Sequence, residues 1–432
     1  MNEMKWIRKE NIRTGVQDAI QKTLLPALRE QLFPGHFLVE ADGGHFGDQW
    51  VFPGLDGWEI AGAYLLMGKT RAVLDYFDFV QASQRADGHI PFAVLPADKP
   101  LIAEGAIRNI KYPEDVFIYT PAQREGQEPY SNLTPRPWIG LFEHWVPNNP
   151  LGVLAPVTYL LTAYEIVSFT NDVNWLLDKI GSLDKAGTYI LSRRCENGLI
   201  DGAGFYTEMH ARHKWDGVTQ CYAIHAFRRL AGLHRLLSDE RSASDWEFHA
   251  SELEKSFRQH FWRGDHYGEY VHPEHGLVDF HGLSDVNWAA VAFGIADEDQ
   301  AKLVWRKMTG EPRFWRGNFP TQALSVAYLF QEWEIGERMP FQDINMGELH
   351  DVAAMGRVWY LEAMACLRMK DTERLIKSVE LVCDMGARHN GYWFERYQPL
   401  QTWEVHPTGA KRYCEYPAIL TRVVLGSREL FS

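Results

Sequence analysis

The stretch from Asn390 to Tyr416 sets two acidic residues among aromatic rings. Glu395 lies inside Trp393-Phe394-Glu395-Arg396-Tyr397, and Glu415 follows between Cys414 and Tyr416. Rings stack on sugar faces, and a carboxylate beside them handles water or hydroxyls. The same residues also suit a surface loop in which Glu395 pairs with Arg396 or Arg388. A third acid, Asp216 in Lys214-Trp215-Asp216-Gly217, stands just before a strongly periodic helix. It either caps that helix, because carboxylates satisfy free amides at helix starts, or serves as a general acid kept protonated by the ring beside it. Asp201 in Glu196-Asn197-Gly198-Leu199-Ile200-Asp201 is the alternative acid. Two carboxylates on separate loops suit glycoside hydrolysis. One protonates the leaving oxygen, and the other attacks the sugar or activates a water across a gap of about 6.5–9.5 Å.

Other polar residues sit where helices meet loops. Ser284-Asp285-Val286-Asn287-Trp288 opens one helix, and Met355-Gly356-Arg357-Val358-Trp359 opens another. Trp58 follows a glycine, with Glu59 next to it, and Trp138 follows a proline; Asp285, Asn287, Arg357 and Trp359 join them as substrate-contact candidates, with capping or packing as the alternative for each. His210 and His213, like His272 and His275, lie three apart, but no third ligand falls at a zinc spacing. No phosphate loop, dinucleotide fingerprint or nucleophile elbow is present. Neither a metal nor a cofactor is expected.

The formal net charge of −13 and the lack of a basic run argue against nucleic acid. With 16 Trp, 18 Tyr and 23 Phe, many beside Gly, Pro or charged residues, a small carbohydrate partner fits better. Five widely spaced cysteines without a Cys-x-x-Cys pair, a polar first segment and no membrane-length apolar run point to a cytoplasmic protein.

These residues must be positioned by helices. Apolar periodicity predicts helices over 11–32, 59–67 and 70–84, then from 154 and over 175–191. Further helices are expected at 218–237, about 250–261 with Ser244 or Asp245 as cap, 286–296, 299–308, 321–334, 358–365, 375–383 and 417–425. Strand patterns are almost absent, Gly198–Asp201 being the best. Residues 98–137 hold several prolines and little periodicity, the mark of a loop insertion. About six helical hairpins without a linker predict one all-α domain over 1–432, an (α/α)6 barrel with long loops at one mouth.

Several motifs resemble trehalases and the related inverting enzymes of glycoside hydrolase families 37 and 63. Gly43-Gly44-His45-Phe46, Gly57-Trp58-Glu59 and Asp87-Gly88-His89-Ile90-Pro91 follow their N-terminal order, and Glu395-Arg396-Tyr397 with Glu415-Tyr416 follows their C-terminal one. The resemblance implies a six-hairpin glycosidase with Asp216 as general acid, Glu395 as general base and Glu415 as a substrate-binding acid. It also implies Trp58, His89, Arg136, Trp215 and Tyr397 around the substrate. Glu59 stands where Asp is usual, Phe92 follows Ile-Pro where Asn is usual, and no Ser-Gly precedes Trp215. The implied reaction is therefore inverting hydrolysis of an α-glycoside, without trehalose as the implied substrate. A sugar epimerase using His210, His213 or His281, and a non-catalytic carbohydrate-binding barrel, are the alternatives.

Overall fold

Helices of two kinds alternate along the chain, one apolar nearly all round and the other apolar on a single stripe. This difference sorts them into two layers. In Gly217–Leu236 residues on every face are buried, whereas in Glu240–Phe261 burial falls on Ala243, Trp246, Ala250, Leu253, Phe257 and Phe261, the spacing of one face. A computed structural model describes residues 4–31, 34–43, 51–90, 93–96, 117–119, 138–142, 153–201, 215–323, 325, 333, 353–399 and 405–432.

The inner helices are α2 (Leu55–Leu66), α4 (Leu154–Thr170), α6 (Gly217–Leu236), α8 (Asp285–Ala292), α10 (Gly356–Met369) and α12 (Glu415–Gly426). Each packs on the next, and α12 packs back on α2, which closes the ring. The outer layer is α1 (Glu10–Asp18), α3 (Thr70–Gln81), α5 (Val173–Ser192), α7 (Glu240–Phe261), α9 (Glu298–Thr309) and α11 (Thr372–Arg388). The fold is the expected all-α toroid. Its sixth hairpin is not sequential: α1, continued by a π-helical stretch Ala19–Leu24, packs on α11 and α12. The first helix ends at Ala27 and not near 32, where Leu28 turns extended and pairs with Phe37.

Five short turns link inner to outer helices, and the turn chemistry recurs. Gly68, Asn171, Ser238, Gly294 and Lys370 take positive φ there, the conformation that ends a helix. Asp172, Asp239, Asp297 and Asp371 then accept the amide three residues on and cap the outer helices. Such caps stabilise by about 1 kcal/mol each. Asp239, rather than Ser244 or Asp245, starts the helix expected near 250. Since these turns join the C-terminal ends of the inner helices, all the inner N-termini meet at the opposite mouth.

Three small antiparallel sheets decorate the fold, contrary to the expectation of almost no strand. β1 (Ala93–Pro96), β3 (Trp138–Phe142) and β2 (Phe117–Tyr119) form one, in that order, with β2 inside the expected insertion. β4 (Trp215–Asp216), β5 (Tyr270–His272) and β6 (Gly276–Val278) form the second, and β7 (Phe394–Pro399) pairs with β8 (Val405–Lys411) in the third. The Gly198–Asp201 segment contributes only a single bridge, Ile200 to Arg194. The helix expected at 321–334 falls largely outside the described residues. Among those described, no helix is long and apolar enough to cross a membrane.

Below the barrel, in the last turn of α6, His234 is held between two carboxylates. Its Nε2 lies 2.8 Å from Asp184 and its Nδ1 3.2 Å from Asp239. Burial lowers its pKa, but the bonds and charges of Asp184 and Asp239 outweigh burial, and the net shift is upward from 6.5. A raised folded pKa means stability present below about pH 6.5 and lost as pH rises through the folded value. Thermal melts across that range should fall more steeply for the wild type than for His234→Gln, and parallel curves would show that the pair contributes nothing.

Candidate active site

The first turns of the inner helices carry most of the polar residues at the mouth: Asp56 and Glu59 on α2, Asp285 on α8, Arg357 on α10 and Glu415 on α12, with Asp216 capping α6. Negative side chains at helix starts are favoured by the free amides and the helix dipole. Here they converge. Carboxylate oxygens of Asp56, Glu59 and Glu415 lie within 4.8 Å of one another, and they are the group among the described residues that could hold a metal ion. Arg357 already supplies a cation there: its Nε donates to Glu415 Oε1, and its Nη2 reaches Asp56 Oδ1 at 3.4 Å.

The local backbone makes this possible. The Gly356 amide donates to Glu415 Oε2 at 3.0 Å, and a Cβ on Gly356 would meet Glu415 Cγ at 2.7 Å. Arg357, with Arg422 also acting on Glu59, does not offset the burial of these three acids. Burial, then Glu415 and Asp56, push the Glu59 carboxyl well above its ordinary range. Burial also raises Asp56, against the pull of Arg357 and a hydrogen bond from Tyr413. Glu415 is pushed up to about 7 by burial, opposed by Arg357 and reinforced by Asp56.

Glu395 borders this cluster, and its charge acts on both Asp56 and Tyr413. It lies on β7 beside the strand that leads into α12. Arg396 Nη1 donates to its Oε1 at 3.0 Å and the Ala410 amide to its Oε2 at 3.1 Å. Gly409, at φ +73°, passes beneath, where a Cβ would collide with Oε2. The pairing with Arg396 expected of a surface loop is therefore present, at the edge of a buried acid cluster.

Asp216 comes from the other side. In the ring order α6 stands opposite α12. The Asp216 side chain is buried, and its Oδ2 accepts from the Thr219 amide at 2.8 Å and the Thr219 hydroxyl at 2.9 Å, so it is the helix cap. Nearby, buried His281 and Glu269 are bonded at 2.6 Å, and the Glu269 carbonyl accepts from the Gly217 amide. Asp201 lies in a turn 3.9 Å from Arg193.

The remaining expected residues are held by the framework. Trp58 is buried inside the barrel, donating to Glu165 at 2.8 Å beneath the Arg422 guanidinium, and meets Tyr222 and Tyr360 edge to face. Trp359 donates to Ser378 of the outer layer. Asn287 clamps the Tyr267 backbone through both side-chain ends, and Asp285 is buried at the start of α8. Tyr397 accepts from the Phe394 amide and stacks on Phe319, while His89 stacks on Tyr189 of α5. Trp215 is half-buried on β4, and Trp138 begins β3 opposite Pro96. Arg136, His210 and His213 lie outside the described residues.

Sequence reasoning missed Asp56, Tyr413, Glu165 and Arg422. Asp56 carries a usable signal, an acid within one turn of Trp58. It falls in the expected loop only because α2 begins at Leu55, four positions before the expected start at 59.

No protein-family model and no curated protein matches the chain. Solved structures do. Two structures of a GH63 mannosylglycerate hydrolase from Thermus thermophilus, one with glucose and one with Tris and D-glycerate, are 12% and 11% identical, with TM-scores of 0.58 and 0.59. Each match covers 95% of this chain and 99% of the other. A rhamnosidase from Klebsiella oxytoca with rhamnose bound is 11% identical with a TM-score of 0.60; 98% of this chain is covered, and the chain spans 64% of that protein's length. The chain has the (α/α)6-barrel fold of these six-hairpin glycosidases.

Proposed function

We propose that the protein is a glycosidase that hydrolyses an α-glycosidic bond in a disaccharide, oligosaccharide or small glycoside, with inversion at the anomeric carbon. The observation that carries this reading is the supply of Asp216 and Glu395 from opposite sides of one mouth walled by buried acids. In the proposed reaction Asp216 protonates the leaving oxygen from one side. Glu395 draws a proton from water on the other, and that water attacks the sugar. Arg357, Glu415 and Asp56 bind sugar hydroxyls, with Glu59 behind them. The solved relatives named for acting on mannosylglycerate or as a rhamnosidase support a carbohydrate substrate. The buried His281–Glu269 pair favours a second reading, an epimerase that moves a proton without breaking the glycosidic bond. Release of a reducing sugar separates the two.

Asparagine caps a helix about as well as aspartate, so Asp216→Asn separates the two roles of this residue. Its melting temperature should stay near wild type while turnover falls by about 10²–10⁴-fold, the usual worth of general acid catalysis. Undiminished turnover would leave Asp216 as a cap alone. For Glu395→Gln the loss should appear in kcat with little change in KM. NMR of the first-formed anomer should show inverted configuration, and retention would make Glu395 a nucleophile. The pH dependence follows from the raised acids. In infrared difference spectra a protonated carboxyl band should disappear as pH rises through about 7, and Glu415→Gln should abolish that step. An unchanged titration in this variant would assign the proton elsewhere.

A further inference from the structure

A ring platform stands at the end of the small sheet that carries Asp216, the proposed general acid. β4 and β5 pair Asp216 with Tyr270 and Trp215 with Val271, and β5 and β6 pair His272 with Gly276. Residues directly opposite in an antiparallel pair share a face, and alternate residues along a strand share it too. Asp216, Tyr270 and His272 therefore lie on one face of the sheet, running from the buried acid outward. Tyr270 is fully buried beside the acid, whereas His272 is only partly covered and His275 is exposed.

The turn that carries the outer end is rigid. His272 Nδ1 accepts from the amides of both Glu274 and His275, each at 3.1 Å. This holds the two imidazoles with centroids 4.8 Å apart. Trp333, from the chain between α9 and α10, stacks on His275 at 4.0 Å and meets His272 edge to face at 4.9 Å. Phe280, 45% exposed, completes the group at 6.3 Å from Trp333. A large aromatic side chain left this open at a mouth is unusual in a core-filling role. Stacked rings of this kind present the surface that the C–H face of a sugar ring covers.

Resting on the glycosidase reading above, we propose that His272, His275, Trp333 and Phe280 form the leaving-group subsite, and that it selects a ring-shaped leaving group, a second sugar residue, over a small acyclic one. The link is geometric: Asp216 protonates the leaving oxygen in the proposed reaction, and His272 shares its face of the sheet, two positions beyond Tyr270, the residue paired with Asp216.

The test compares leaving groups on one glycone. Wild type, Trp333→Ala, Trp333→Phe and His275→Ala would be assayed on α-linked disaccharides, on the α-glycosyl fluoride and on the α-glycosyl glycerol of the same sugar. For Trp333→Ala, kcat/KM on the disaccharide should fall roughly tenfold, while that on the fluoride and the glyceryl glycoside stays within about twofold of wild type. Trp333→Phe should recover most of the loss, and His275→Ala should show the same selectivity more weakly. An equal fall on all three substrates would make Trp333 a structural residue and overturn the subsite, as would an unchanged disaccharide rate. In either case the glycosidase reading would stand. Wild-type protein that cleaves none of the three, across a panel of glycones, would overturn the glycosidase reading and the subsite with it.

Discussion

One guanidinium, that of Arg357, lets the mouth of this barrel exist in its present form. Three carboxyls beside it have oxygens within 4.8 Å of one another, two of them fully buried, and like charges so placed repel strongly unless a cation or a proton intervenes. Arg357 binds Glu415 and Asp56 directly, and burial with the neighbouring acids still pushes the Glu59 carboxyl well above its ordinary range. Its own position is set by the start of α10, where Gly356 brings the backbone against the Glu415 side chain. The planar fork of arginine suits this place, since it reaches two carboxylates at once.

The architecture explains why the acids collect at this end. Short turns with a left-handed residue followed by an aspartate cap join inner to outer helices at the other end, so the inner N-termini share one mouth. Free amides there favour carboxylates, and Asp56, Asp216, Asp285 and Glu415 each occupy such a position. Capping and chemistry are not alternatives in such a place. Asp216 is fixed in orientation by Thr219 at the start of its helix, and the role of proton donor proposed for it would use that fixed position.

How much of this was legible in the sequence depended on the range of the interaction. The helical hairpins follow from periodicity alone, whereas the caps between them were only partly read: the cap of the helix near 250 was expected at Ser244 or Asp245 and is Asp239. Arg357, Glu415 and Glu59 were visible as polar residues at helix starts, although nothing local told that they meet. The meeting of Asp56 with Arg357 spans most of the chain. The small sheets were hidden for a similar reason: β4 holds two residues and β5 three, too short for alternation, and their pairing joins segments far apart. Trp359 and Asn287 were read from their places near loops and Tyr397 from the family resemblance, and hydrogen bonds also tie all three to the framework.

The pairing of α1 with α11 and α12 has a consequence for how the chain reaches this state. The apolar stripe of the first helix, Ile12, Val16, Ile20 and Leu24, is buried against segments that begin some 350 residues later. Contacts of such sequence separation form slowly, since the intervening loop must close first. The contacts of this helix with α11 and α12 therefore wait for the last segments of the toroid, whereas its end already meets α2, where the Tyr64 hydroxyl donates to the Leu24 carbonyl. The seam of the first helix with α11 and α12 thus ties the two ends of the described chain together through contacts of high sequence separation.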